Sequence, residues 1–297
     1  MESNNPSEPE QASGSDADAA TQRADAATQR ADVANRLLDA YKSVKDTELT
    51  LNPEPLESDA VHKSVAPSQN YLVSARRSVE HALSAVSRQR STRRAYEGAD
   101  QRGRHTEADQ DLLRAALVFA GAGLDSTLKR LLADCLPEMT QRSDDADEKL
   151  KRYAADQIKD EIEHNEPSML VDALLSNRPR DVLEANHIDS LIGGSLQSNQ
   201  QVRAAAAALG VVNTDFFKRT SPRQDNKLNA MFQARNTIVH ELDLRERDKD
   251  ARGVSSHLRT PRTTALITDW VTEALSVAQF VVTDVNARLT RQMQRDR

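Results

Sequence analysis

From Thr106 onward the chain carries TEADQDLLRAALVFAGAGLDSTLKRLLADCLPEM, in which Leu112, Leu113, Ala116, Leu117, Ala120, Leu124, Leu128, Leu131 and Leu132 recur every three or four residues. That period gathers the apolar side chains on one face of a long helix, where alternation would have made a strand. Thr106 is placed to cap its start, with acids in the first turn, and Pro137 is expected to stop it. The same period returns near the end of the chain in Ile267, Trp270, Val271, Ala274, Ala278, Val281, Val282 and Val285. It also runs from about Ser68 through Tyr71, Leu72, Ala75, Val79, Ala82, Leu83 and Val86. No segment reads as a strand. Aromatic residues are only 3%, and 9 glycines and 10 prolines are few turn formers for 297 residues, so the expected fold class is all-α, an up-and-down helical bundle with an added N-terminal helical extension.

Composition shifts suggest three regions. Residues 1–30 are read as a disordered tail, acidic at first and then alanine-rich. Within it ADAATQR occurs twice, at 17–23 and 24–30, too few copies for a repeat architecture and too poor in bulk for a coiled coil, and it is read as a fraying helical lead-in. Residues 31–104 form the helical extension, broken by LNPEPLE and closing on a basic run with Arg88, Arg90, Arg93, Arg94, Arg102 and Arg104. That run is either a solvated helix end or a contact for RNA phosphates, onto which arginine forks. Residues 105–297 make the main domain. Inside it, 142–166 reads as a highly charged helix, several short helices follow, and Ser221–Pro222 marks the start of the helix described below. Gly121 and Gly123 are expected to let a neighbouring helix approach closely.

Several classes of function are disfavoured. A net charge of -6 does not suit a general nucleic-acid coating protein, so any such contact must be local. No H-E-x-x-H, paired CxxC, Walker loop, dinucleotide fingerprint or G-x-S-x-G elbow is present, so neither metal nor cofactor is expected. The single cysteine, Cys135, reads as a small buried hydrophobe and fits a reducing cytoplasm. The polar, acidic N-terminus lacks a secretory pattern, and no apolar run reaches the ~20 residues that span a bilayer, so no membrane association is expected.

One stretch resists a purely structural reading. In LNAMFQARNTIVHELDL, Leu228, Met231, Phe232, Ile238, Val239 and Leu242 define an apolar stripe with Arg235 at its centre. Taking Arg235 as zero and 100° per residue, these residues fall within about 60° on either side, while Asn229, Gln233, Asn236, His240 and Asp243 gather between about 80° and 160°. A polar strip therefore runs beside the apolar one, with Asn236 and His240 one turn apart. A guanidinium in such a stripe is costly unless it is paired or functional. Pairing with Asp125 of the first core helix would make it structural.

RNTIVHE, Arg235 to Glu241, resembles the R-N-x-x-x-H signature of the HEPN superfamily, and is similar to members of the RiboL-PSP-HEPN type. The setting also matches over roughly 105–295: a long helix first, a late helix carrying the motif, and an apolar helix closing the domain. The loop after the motif and residues 142–200 exceed a minimal domain of this kind. The resemblance implies a homodimer whose facing motif helices share a metal-independent RNA-cleaving site. Arg235, Asn236 and His240 would be catalytic, with Gln233 as a substrate contact; Arg93 and Arg94, outside the span of the resemblance, are substrate-contact candidates from the basic run alone. It also implies a cytoplasmic toxin or defence effector, with room for an inhibitory or regulatory protein partner. A non-catalytic module that binds RNA, nucleotide or protein through the same face is the alternative. An adaptor working through its N-terminal helices is a third reading.

Overall fold

A computed structural model describes residues 14–45, 51, 56–57, 61–97, 105–164, 168–223, 226–244 and 259–295. Among them the fold is all-α, and the single β-bridge joins Leu244 to Arg259. By their contacts, residues 1–48 and 86–104 form one unit, and 49–85 with 105–297 form a second. This division differs from the expected break at 104.

The first unit contains α1 (Gly14–Lys45) and the last turns of α2 (Ala66–Glu97). Residues 14–30 are helical and run on without a break through Val33, so the reading of 1–30 as a disordered tail does not hold there, and the paired ADAATQR is a helical lead-in. Alanine-rich sequence has the propensity for this even without a partner face. Over 21–39 the side chains are exposed except for half-buried Val33 and Leu37, and Arg36 pairs with Asp32 at 3.2 Å one turn away.

In the second unit α3 (Glu107–Arg142) is the central element. The expected cap is a full capping box: Thr106 Oγ1 accepts from the Asp109 N–H at 3.1 Å, and Asp109 accepts from the Thr106 N–H at 2.9 Å. The expected stop at Pro137 is not observed. The helix carries the proline through its last turns to Arg142, with Leu136 and Met139 fully buried on either side of it. Their burial offsets the hydrogen bond that proline cannot donate.

The longest packing seam joins α3 to α10 (Thr264–Arg295), whose Ile267, Val271, Ala274, Ala278, Val281, Val282 and Val285 are all fully buried. By length and hydropathy alone α10 could cross a bilayer; here that apolar face lies in the bundle core. α9 (Lys227–Glu241) packs on both α3 and α10. It begins at Asn226, whose side chain accepts the Leu228 and Asn229 N–H groups, and not at Ser221–Pro222. The highly charged α4 (Asp144–His164), α6 (Pro179–Ile192) and α7 (Asn199–Ala208) also contact α3. The short α5 (Ser168–Leu175) leans on α6, and α8 (Thr214–Arg219) leads towards α9.

The first half of α2 belongs to this core because residues 61–85 are fastened to it. The His62 N–H donates to Asn286 of α10 at 2.7 Å, and Ser64 donates to Glu138 of α3 at 3.0 Å. A Cβ at Gly123 would overlap the Ala75 methyl, so the glycine is what lets α2 and α3 meet there. Cys135 is buried and donates to the Ser64 carbonyl at 3.2 Å. Burial, helped by Asp134 and Glu138, pushes its thiol up to about 12, which leaves it unreactive.

Candidate functional site

α9 presents three surfaces. Leu228, Met231, Phe232 and Ala234 are buried against α3 and α10. Gln233, Asn236 and His240 are exposed, on the polar strip expected for them. Arg235 lies half-buried between these surfaces. Its stem runs beside Gly121 of α3, where a Cβ would stand 3.4 Å from Cγ and 3.8 Å from Cδ and Nε. Gly121 thus makes room for a side chain, while Gly123 makes room for a helix. The guanidinium emerges towards solvent, and Nη1 donates to Asn236 Oδ1 at 3.1 Å. Its Nε is buried and has no acceptor among the described residues. His240 stands one turn beyond Asn236 and makes no hydrogen bond or ion pair with the described residues.

Three expectations change at this point. Asp125 does not pair with Arg235: its carboxylate accepts the Leu196 N–H at 2.6 Å and Lys129 at 3.3 Å, so it holds the segment ahead of α7. Leu242, expected in the apolar stripe, is exposed, because the helix stops before it and its backbone turns left-handed at φ 53° and ψ 28°. Asp243, expected on the exposed strip, is fully buried, and it too is left-handed at φ 59°. Helical periodicity ceases to apply once the helix has ended.

Asp243 is the centre of a charge cluster that sequence reasoning missed. Its Oδ2 accepts Arg114 Nε at 3.0 Å and Arg262 Nε at 3.1 Å, and its Oδ1 accepts Arg262 Nη2 at 2.6 Å. Asp111 accepts Arg114 Nη1 at 2.9 Å and Arg259 Nη1 at 2.7 Å. The charges therefore alternate through Arg259, Asp111, Arg114, Asp243 and Arg262. One signal was available: Arg114 interrupts the apolar stripe of α3 as Arg235 interrupts that of α9.

The seam between α3 and α9 opens into a cavity of about 320 Å³ lined by Ala115, Val118, Phe119, Ile238 and Leu242 together with Asp111, Arg114 and Arg259 of the charge cluster. Phe119, Val239, Leu242 and Leu244 are exposed, so an apolar surface adjoins the motif. Arg93 and Arg94 lie on the part of α2 that belongs to the first unit, Arg93 half-buried and Arg94 exposed. Arg102 and Arg104 lie outside the described residues. Among the described residues no group of histidine, cysteine and acidic side chains could hold a metal ion.

Compared with family models, curated proteins and solved structures, the chain matches none. The case for function therefore rests on the chemistry of the site.

Proposed function

We propose that this protein is a metal-independent RNA endonuclease of the HEPN type, acting as a homodimer. The observation that carries this reading is Arg235: a half-buried guanidinium with an unmet Nε, joined to Asn236, with the imidazole of His240 one exposed turn away. A cation, an amide and an imidazole then share one solvent-facing side of a helix. RNA supplies its own nucleophile. An imidazole takes the proton from the ribose 2′-hydroxyl, the 2′-oxygen bonds to phosphorus, and the 5′-oxygen departs with a proton returned by an imidazolium. The products are a 2′,3′-cyclic phosphate and a 5′-hydroxyl. Arg235 faces the extra negative charge on the pentacoordinate phosphorus, and Asn236 holds the guanidinium or a phosphate oxygen. Gln233 continues the strip along which the strand lies, and Arg93 and Arg94 of the first unit are candidates for phosphate contacts in their own right.

The homodimer reading draws support from the apolar surface of Phe119, Val239, Leu242 and Leu244 beside the motif. A second copy covering it would bring two motif helices together and enclose a site that one chain leaves open. A cytoplasmic growth-arresting or defence role, restrained by a regulatory protein, follows from the resemblance alone.

A non-catalytic module that binds RNA, nucleotide or protein through the same face is the second reading. It is favoured by the fact that no described group orients the His240 ring, as a third residue orients the base in many hydrolytic sites. One experiment separates the two. Purified protein is incubated with single-stranded and structured RNA in excess EDTA, with His240→Ala prepared identically. Cleavage by the wild type alone, leaving cyclic phosphate ends, is the expected result. RNA retention without cleavage by either protein overturns the nuclease reading in favour of the module.

A further inference from the structure

The last turn of a helix is its least constrained part, because its final carbonyls lack helical partners. His240 is the penultimate residue of α9, so its position depends on how that end is held. Helices that need only to stop commonly place glycine in the left-handed position that follows. This chain has two successive non-glycine residues there, Leu242 at φ 53° and Asp243 at φ 59°. The left-handed region is unfavourable for an L-residue with a Cβ, so the surroundings must impose it twice.

The surroundings do so through Asp243. Its backbone N–H and that of Leu242 both reach the Thr237 carbonyl, which closes the turn containing His240. Its own carbonyl accepts the Thr260 N–H at 2.9 Å, and its carboxylate is gripped by Arg114 from α3 and by Arg262 from the segment entering α10. Arg262 is fixed in turn: Gln110 of α3 bonds its backbone twice, donating to its carbonyl and accepting its N–H, each at 2.8 Å. The Arg262 guanidinium also lies 5.9 Å from the Trp270 ring centroid. The end of α9 is thus fastened to α3 and to the start of α10, the two helices on which α9 rests.

We infer that Asp243, clamped between Arg114 and Arg262, is a positioning residue for His240, setting the imidazole relative to Arg235 and Asn236. The inference rests on reading Arg235 and His240 as the cleavage site. A glycine-ended helix would leave His240 on a fraying turn; the clamp ties that turn to the core. Asp243 touches no substrate and acts through the backbone it holds.

The test uses the full chain as wild type, Asp243→Asn and Gln110→Ala, with two readouts. The first is the imidazole carbon–proton NMR signal of His240, assigned by its absence from His240→Ala. The second is steady-state RNA cleavage, resolved into kcat and KM. In Asp243→Asn the His240 signal is expected to shift or broaden, and kcat to fall by about 100-fold, the size of effect an ångström-scale misplacement produces. KM should stay within about 3-fold, because phosphate binding by Arg235 is untouched. Gln110→Ala loosens Arg262 without leaving a charge unpaired, and should move both readouts the same way by about a tenth as much. It decides the matter if Asp243→Asn does not fold. An unmoved His240 signal and an unchanged kcat in the folded variants, with only thermal stability lowered, would reduce Asp243 to a structural anchor and overturn the inference. A wild type that cleaves no RNA overturns the nuclease reading instead, and the His240 signal then decides the clamp by itself.

Discussion

Arg114 and Arg235 occupy equivalent places in the sequence pattern, each a permanent charge in the apolar stripe of a helix, and they end in opposite conditions. Arg114 is satisfied on all sides: Nε on Asp243, Nη1 on Asp111, and Nη2 on the Thr260 carbonyl at 3.4 Å. Arg235 has a bare buried Nε and a single neutral partner, the exposed amide of Asn236. A buried guanidinium with all three nitrogens engaged is part of the framework, because removing it strands the carboxylate it neutralised. One with donors unengaged, beside an exposed imidazole, retains capacity for an anion from outside. The stripe-breaking charge is the same signal in both helices; its partners assign the role.

The sharpest way to break this comparison is activity. Arg235→Ala and His240→Ala should each lower metal-independent RNA cleavage by roughly 10²–10⁴-fold. Circular dichroism and thermal melting should be close to wild type, since neither side chain completes a buried pair. Loss of helicity in Arg235→Ala would make it a structural arginine like Arg114 and remove the distinction.

Next in size, Arg114→Ala should destabilise the fold by about 3–5 kcal/mol in denaturant unfolding, because the fully buried Asp243 carboxylate keeps only Arg262. A loss below about 1 kcal/mol would mean that the cluster carries little of the stability assigned to it.

A buried group with no ionic partner offers a third contrast. His187 of α6 packs at a tilt against Tyr153 with ring centroids 4.3 Å apart, and both ring nitrogens lack partners among the described residues. Burial pushes its pKa down from 6.5 to about 4. The unfolded chain therefore binds a proton more readily than the folded one, and stability present above pH 6.5 is lost as pH falls towards about 4. This costs at most about 3 kcal/mol. His187→Phe should flatten that part of the stability–pH curve, measured by urea unfolding between those limits. An unchanged slope would show that the ring is accessible to protons in the folded state.

The smallest effect is expected at the capping box of α3. Thr106→Ala should cost about 1 kcal/mol, read as a lower melting temperature, with cleavage unchanged because about four turns of α3 separate the cap from Gly121. A larger loss would mean that this end of α3, which also carries the Arg114 cluster, has less stability in reserve than its packing suggests.

Local periodicity and capping chemistry made much of this molecule legible without coordinates. The all-α class, the capping box at Thr106, the inward face of α10 and the exposed strip of Gln233, Asn236 and His240 all follow from residues within a few turns of one another. That is the range over which helical geometry constrains a chain. The course of α3 through Pro137 does not follow, because burial of Leu136 and Met139 outweighs one missing hydrogen bond. Nor does the assignment of residues 49–85 to the main core, which depends on Gly123 meeting Ala75 and His62 meeting Asn286. The partner proposed for Arg235, Asp125, belongs instead to the Leu196 N–H and Lys129. At the end of α9, periodicity placed Asp243 on the solvent side of the helix, whereas Arg114 and Arg262, 129 and 19 residues away, draw it inside. The sequence by itself determined that the chain is helical and which face of α10 and of α3 is buried. Only the tertiary structure decided where α9 stops and which charged groups find each other, because a charge settles where the whole fold offers it a partner at hydrogen-bonding distance, and spacing along one helix carries no record of that.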